Sequence, residues 1–179
     1  IILLSLRRKS MNNKIYTNLN ECINEVLSLS SNYACKGVEK NIGGPFGAGI
    51  IQKIDNSYKI ICIERNTVIS SKDATSHAEV NAIRKASKIL DRYNLEDCIL
   101  VTTAKSCPMC LSASCWANIP VIYYSVDYSE ATASGFRDDA IAEYIKGNNT
   151  NLINEVQVKN DICCKPFKIW NDKKDKMQY

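Results

Sequence analysis

Apolar residues recur at helical spacing near the start of the chain. Leu19, Cys22, Val26 and Ala34 are separated by three, four and eight positions, with polar residues between them. A period close to 3.6 residues is typical of a helix that buries one face. The pattern therefore predicts an amphipathic helix that ends near Gly37.

The pattern changes to that of strands after this helix. Four of the seven glycines fall in residues 43–49, and apolar runs follow at 50–51 and 58–63. The Asp-Asn-Ser sequence at 55–57 separates the two runs and is typical of a turn. We therefore expect a β-hairpin that is entered through a glycine-rich loop.

The rest of the chain alternates between helical and strand patterns. Strand-like apolar runs occur at 98–103 and 121–124, and residues 152–158 fit either a strand or an extended crossing segment. Helical patterns follow Ser76 and occupy 108–116, 128–133 and 138–146, and a lysine-rich stretch from 165 onward fits a solvated helix face. This alternation after a hairpin predicts an α/β fold with a mixed sheet covered by helices.

Length and charge favour one compact domain without a nucleic-acid-binding arm. Residues 11–179 are expected to form a single domain, and Met11 to be the natural start. Residues 1–10 are interpreted as a leader or an added segment, because their basic residues follow the apolar run, the wrong order for a secretory signal. Without that leader the net charge falls from +4 to +1, so binding to nucleic acid is not expected.

Cysteine usage indicates a reducing compartment. The chain has nine cysteines, an odd number at irregular spacings, which does not resemble a disulfide framework. No apolar run reaches the length of a membrane span. We therefore expect a cytoplasmic protein with no membrane-spanning segment.

Two short motifs carry the strongest chemical signal. His77-Ala78-Glu79 contains the chain's single histidine, and Cys107-Pro108-Met109-Cys110 follows 28 positions after the glutamate. An H-x-E motif followed by C-x-x-C is the signature of the zinc-dependent base deaminases. The sequence therefore predicts one Zn²⁺ per chain, held by His77, Cys107 and Cys110.

The residue types match the chemistry of hydrolytic deamination. A catalytic zinc takes three protein ligands and leaves the fourth position for water, whose pKa it lowers toward neutrality. Two thiolates already cancel the charge of the metal, so a nearby proton acceptor is needed as well. Glu79 is expected to take the proton from water and pass it to the base.

A structural zinc site is the simplest alternative. Such a site needs a fourth cysteine or histidine, and Cys98 and Cys115 are the nearest candidates. Cys98 lies in an apolar run and Cys115 lies more than a turn beyond Cys110, so both are interpreted as packed thiols. A non-catalytic scaffold protein is the other alternative, and it would typically have lost the glutamate.

The motifs are expected at the starts of two helices. Thr75 or Ser76 is a candidate N-cap for the first helix, which places His77 and Glu79 in its first turn. Pro108 suits the first turn of the second helix. Cys107 and Cys110 would then lie at a helix N-terminus, where the helix dipole favours the thiolate form.

The chain resembles the cytidine deaminase superfamily and, within it, the bacterial-type guanine deaminases. The resemblance runs from about Asn20 to Tyr179. It is carried by the zinc motifs and by the segments at 43–48, 66–68, 73–84, 95–100 and 134–136, and by a tail spaced as Phe167, Trp170 and Tyr179. It implies a three-layer α/β/α cytidine-deaminase-like fold with a mixed sheet of about five strands.

The resemblance also implies a substrate and a reaction. It implies hydrolysis of guanine to xanthine and ammonia, in which activated water attacks C2 and Glu79 shuttles protons. Asp138 resembles a further proton shuttle that serves the leaving amine. Guanosine, another aminopurine, an amino-triazine, or adenosine in tRNA remain as alternative substrates.

Substrate-binding roles follow from the same resemblance. Asn66 would hydrogen-bond the purine, the Ala78 backbone amide would orient it, and Phe46 and Trp116 would line the pocket. Tyr179 resembles a tyrosine that closes over the base. In relatives the tail, here residues 160–179, crosses to a neighbouring subunit, which implies a homodimer with swapped tails.

Two departures from the family pattern affect the rim of the site. Relatives usually carry Cys-Glu-Pro before the first metal cysteine, whereas this chain has Ala104-Lys105-Ser106. Arg137 replaces an acidic residue beside Asp138. Neither change removes a metal ligand or Glu79, so both bear on the identity of the substrate more than on the chemistry.

Overall fold

The fold is built on one five-stranded mixed sheet. A computed structural model describes residues 14–148, 152–153, 155–175 and 177. The predicted leader at 1–10 and the tail residue Tyr179 lie outside the described residues. The strands are β1 (Ile15–Tyr16), β2 (Gly47–Ile54), β3 (Ser57–Arg65), β4 (Cys98–Ala104) and β5 (Val121–Val126), in the spatial order β1-β3-β2-β4-β5. The pairing of β4 with β5 is parallel and the other pairings are antiparallel.

Seven α-helices are described, and most begin near the predicted positions. They are α1 (Leu19–Glu39), α2 (Val68–Ser71), α3 (Ala78–Leu90), α4 (Pro108–Trp116), α5 (Tyr128–Ala133), α6 (Asp138–Ile145) and α7 (Lys165–Asp172). A short 3-10 helix at Asp161–Cys164 precedes α7. The described residues between 152 and 158 form no strand, which favours the extended crossing segment. In the described part of the chain, no helix combines the length and apolarity that a membrane crossing requires.

Two apolar clusters cover opposite faces of the sheet. On one face, buried residues of α1 such as Cys22 and Val26 pack on Ile51 and Val101. On the other face, the alanine-rich side of α3 packs on a second cluster that includes Leu100. The predicted three-layer α/β/α fold is therefore confirmed.

A bulge in β3 adjusts which side chains enter each layer. Ile50 pairs with Cys62 and Ile51 pairs with Ile60, so Ile61 has no partner in the register. An extra residue of this kind bends the strand and shifts the alternation of side chains by one position. As a result Ile61 and Cys62 both join the cluster under α3, whereas Ile60 joins the cluster under α1.

Strand direction brings the chemically important loops to one edge of the sheet. Since β2 is antiparallel to both β3 and β4, the start of β2 lies beside the ends of its two neighbours. Phe46 precedes β2, Asn66 follows β3, and Lys105 and Cys107 follow β4. The predicted site residues from three separate segments therefore meet at this edge.

Candidate active site

Two helix N-termini present the metal-binding motifs. His77 is the N-cap residue of α3, with an extended backbone (φ −68°, ψ 157°), and Cys107 occupies the same position in α4 (φ −66°, ψ 165°). The expectation that Thr75 or Ser76 caps α3 was wrong, because the helix begins one residue later. Neither His77 nor Cys107 uses its side chain as a cap, so the imidazole and the thiol are available as ligands.

A hydrogen-bonded loop holds the first of these termini. The Asp73 carboxylate accepts hydrogen bonds from the Thr75 backbone, 2.8 Å, and from the hydroxyls of Thr75 and Ser76, 2.7 and 2.8 Å. The Asn81 side-chain amide donates to the Thr67 hydroxyl, 3.0 Å, and to the Ser76 carbonyl, 3.3 Å. These bonds fix the backbone directly before His77, and the role of Asn81 was not predicted.

The second terminus is anchored on both sides of Cys107. Pro108 is the first residue of α4, as predicted, and Cys110 is fully buried in its first turn. Ahead of Cys107, the Ser106 carbonyl accepts a hydrogen bond of 2.7 Å from the Tyr128 hydroxyl. The contact with Tyr128 was not predicted either, because it joins residues 22 positions apart.

The three predicted metal ligands converge. The Nδ1 atom of His77 lies 3.6 Å from Sγ of Cys107 and 3.6 Å from Sγ of Cys110. Zinc bonds of about 2.0 Å to nitrogen and about 2.3 Å to sulfur, at a tetrahedral angle, separate the two ligand atoms by about 3.5 Å, close to the observed distances. The three side chains therefore fit a tetrahedral zinc ion with one position left for a further ligand.

The pKa values of the two thiols are shifted in opposite directions. Hydrogen bonds from Cys110 and from His77 lower the pKa of Cys107 to about 4. The hydrogen bond to Cys107, together with burial, raises the pKa of Cys110. Soft divalent cations displace protons from paired thiols of this kind, so the donor set suits zinc.

Glu79 lies beside the ligands without joining them. The compact ligand group comprises His77, Cys107 and Cys110, whereas the Glu79 side chain is buried, 6% exposed, in the first turn of α3. Burial is the main cause that raises its pKa. A carboxyl group whose pKa is raised toward neutrality can both accept and return a proton, which is the requirement for general acid–base catalysis.

An open cleft leads to this centre. Its empty volume is about 310 Å³, part of which is open to solvent, and it is lined by Phe46, Asn66, His77, Glu79, Lys105, Cys107 and Asp138. Asp138 begins α6, and burial raises the pKa of its carboxyl group. The cleft thus brings together six predicted site residues from segments that range from the loop before β2 to the start of α6.

Three predicted substrate-binding residues are not among the lining residues. Trp116, at the end of α4, is 68% exposed and does not line the cleft of this chain. Ala78, at the start of α3, is fully buried and does not line the cleft. Tyr179 lies outside the described residues.

Phe46 and Asn66 are oriented by their neighbours. The ring of Phe46 meets the ring of Phe136 edge-on, with centroids 4.6 Å apart. The Asn66 side-chain oxygen accepts hydrogen bonds from the backbone of Gly44, 3.2 Å, and of Val68, 3.1 Å. Those two bonds fix the orientation of the Asn66 amide, with its oxygen toward the loop. The NH₂ group of this buried residue is left to face the cleft.

We expect Asn66→Asp to weaken substrate binding without unfolding the loop. The aspartate keeps an acceptor for the two backbone amides but replaces the NH₂ donor with a second acceptor. The loss of one buried hydrogen bond predicts a fall in kcat/KM of roughly 10- to 100-fold. Steady-state kinetics together with the zinc content check this result, and unchanged kcat/KM would exclude a binding role for the amide.

The comparisons with known proteins agree with this geometry. The family model for the cytidine and deoxycytidylate deaminase zinc-binding region matches residues 20–126. The chain is 42% identical over 147 residues to guanine deaminase of Bacillus subtilis (strain 168), covering 82% of this chain and 92% of the relative. The X-ray structure of guanine deaminase from Bacillus subtilis matches with a TM-score of 0.78 and 39% identity, over 87% of this chain and 98% of that chain.

A tRNA-modifying relative matches a smaller part of the chain. The tRNA-specific adenosine deaminase of Buchnera aphidicola is 32% identical over 98 residues, which cover 55% of this chain and 62% of the relative. The chain belongs to the cytidine and deoxycytidylate deaminase family. It is a zinc-dependent deaminase, and the resemblance to guanine deaminases is confirmed.

Proposed function

We propose that this enzyme hydrolyses guanine to xanthine and ammonia. The similarity to a guanine deaminase extends over most of the chain, beyond the zinc-binding region that the wider family shares. The observation that carries the proposal is the juxtaposition of three metal ligands with a buried carboxyl group at the base of a cleft. That arrangement supports hydrolytic removal of an amino group from a flat heterocycle.

Zinc, one ion per chain, would be held by His77, Cys107 and Cys110, and when bound it lowers the pKa of water so that a nucleophile is available near neutral pH. Glu79 accepts the proton that water loses and delivers it to a ring nitrogen as oxygen adds to C2. Asp138 takes the proton of the hydroxyl group that has been added at C2 and passes it to the departing amine. Water supplies the oxygen of xanthine. One of its two hydrogens ends on the purine ring and the other on ammonia.

Three groups orient the base in this proposal. The Asn66 NH₂ group donates a hydrogen bond to an acceptor of the purine, and Phe46 packs against the ring. The Ala78 N–H lies at the first position of α3, where helix N–H groups have no partner within the helix. It can therefore donate to the substrate and fix the position of C2.

Adenosine in tRNA is the second candidate substrate, because tRNA-specific deaminases match the central part of the chain. One assay separates the two: ammonia release from guanine, guanosine, adenine, cytosine, cytidine and tRNA by the zinc-loaded protein. We expect guanine to be converted fastest, with xanthine formed in equal amount. Deamination of tRNA without turnover of guanine would contradict the proposal.

We further propose that the enzyme is a cytoplasmic homodimer with exchanged tails. The described part of the tail leaves large apolar side chains uncovered, with Phe167 71% and Ile169 70% exposed in the single chain. Tyr124 and Val126 on β5 are also exposed, and β5 is an edge strand. Apolar surface of this extent is typical of a protein–protein interface, and a second copy of the chain would cover it.

Deletion of residues 160–179 is expected to reduce guanine turnover strongly while zinc content stays the same. The tail would complete the partner's cleft, whereas all three metal ligands precede it. Kinetics, metal analysis and sedimentation of the truncated and full chains test this expectation. A monomeric truncated protein with full activity would show that the tail has no part in the site.

A further inference from the structure

Lys105 brings a basic side chain to the mouth of the cleft. It follows the end of β4, and its backbone N–H donates a hydrogen bond of 2.7 Å to the Val126 carbonyl at the end of β5. Its position is therefore set by the sheet and not by a free loop. Among the seven lining residues it is the one lysine or arginine.

The groups around Lys105 hold its ammonium group in place without cancelling its positive charge. Nζ lies 3.2 Å from the Asp127 carboxylate and sits over the rings of Tyr128 and Tyr124, 4.8 and 5.7 Å from their centroids. The two charged side chains are 39% and 55% exposed. An ion pair exposed to this degree contributes little and is screened by water, so Lys105 can also attract a charge in the cleft.

We propose that Lys105 determines specificity by favouring purine bases that carry a negative charge over neutral ones. This inference rests on the proposed function and names the substrate class of the same cleft. Because the cleft is small, the atoms of a bound base lie within about one Debye length, roughly 8 Å, of the Lys105 ammonium group. A charge at that distance in a partly enclosed cleft interacts more strongly than it would in bulk water.

The ligand class is defined by the acidity of the five-membered ring. A purine analogue with a more acidic ring N–H than guanine is an anion at mildly alkaline pH, where guanine itself is still largely neutral. The triazole ring of 8-azaguanine has this property, while the pyrimidine ring and its 2-amino group are unchanged. A comparison of guanine with 8-azaguanine therefore distinguishes the effect of the charge of the base from the effect of its shape.

The test measures binding and turnover of 8-azaguanine and guanine at one mildly alkaline pH with the zinc-loaded protein. For Lys105→Gln we expect the dissociation constant of 8-azaguanine to rise roughly five-fold, the effect of one partly screened charge. The dissociation constant of guanine, which is largely neutral at this pH, should rise less, so the ratio of the two constants changes. Calorimetry in the Glu79→Gln background, in which neither ligand should be turned over at an appreciable rate, gives the dissociation constants.

A second variant predicts the opposite sign. Asp127→Asn removes the competing carboxylate, while its side-chain oxygen can still accept the hydrogen bond from the Tyr128 backbone at the start of α5. We expect 8-azaguanine to bind more tightly to this variant. Lys146→Gln makes the same change of charge outside the cleft, at a lysine paired with Glu143, and should leave both ligands unaffected.

The outcomes distinguish this inference from the proposed function. If guanine is deaminated but Lys105→Gln leaves the ratio of 8-azaguanine to guanine binding unchanged, the inference is overturned and the function stands. If guanine is not a substrate, the function fails, and the calorimetric ratio still tests the charge preference. An equal loss of affinity for guanine and 8-azaguanine in Lys105→Gln would overturn the inference, because the lysine would then have a purely structural role.

Discussion

Glu79→Gln is expected to lower kcat for guanine by roughly 10²- to 10⁴-fold, the range that general acid–base groups contribute. The amide has nearly the shape of the carboxyl group but cannot accept the proton that water loses. Because Glu79 is buried and its pKa is raised by that burial, an uncharged replacement is expected to be tolerated by the fold. Steady-state kinetic assays of xanthine formation measure the effect on kcat.

Zinc content and KM serve as the internal controls for this variant. Both should stay close to the wild-type values, since Glu79 is not one of the three ligands. Glu96→Gln is the matched control, because it makes the same chemical change at an exposed position. Near-normal kcat in Glu79→Gln would refute the role of this carboxyl group in proton transfer.

Cys110→Ser is expected to abolish both zinc retention and activity. Even outer-shell changes cost about 10- to 100-fold in metal affinity, so the loss of a ligand should exceed about 100-fold. Cys110 is fully buried with its sulfur 3.6 Å from His77 Nδ1, and a hydroxyl group is a poor replacement for a thiolate. Metal analysis after dialysis and ammonia release give the two readouts.

A matched substitution on the same helix separates metal loss from general damage. Cys115 also lies on α4 but is exposed, so Cys115→Ser should keep zinc and activity. A chelator should lower the thermal unfolding midpoint of wild type and of Cys115→Ser, because metal binding to the folded state stabilises it. The midpoint of Cys110→Ser should not respond, and retention of tightly bound zinc by this variant would contradict the ligand assignment.

The sequence predicted the arrangement of the proposed ligands better than their surroundings. The spacing of His77, Cys107 and Cys110 was sufficient to predict three side chains that converge, because each motif lies within one turn at the start of a helix. The resemblance added Phe46, Asn66 and Asp138, which the fold brings into the same cleft. The alternation of helices and strands was sufficient for the layered fold.

The missed features depend on contacts between distant segments. Asn81 holds the loop before His77 and Tyr128 holds Ser106, but neither pair has a local pattern that sequence spacing reveals. Strand β1 has two residues, too few for periodicity to register. Trp116 was expected in the cleft and is exposed in the single chain, since helical spacing alone does not say which face of α4 meets solvent.

The most direct test of the central claim is X-ray absorption at the zinc edge of the purified enzyme. We predict one zinc ion per chain with two sulfur ligands at about 2.3 Å and light atoms at about 2.0 Å, of which one is the His77 nitrogen. Such a spectrum would confirm a metal held by one imidazole and two thiolates with a position open to solvent. A four-sulfur spectrum, or a protein that contains no metal as purified, would contradict the account.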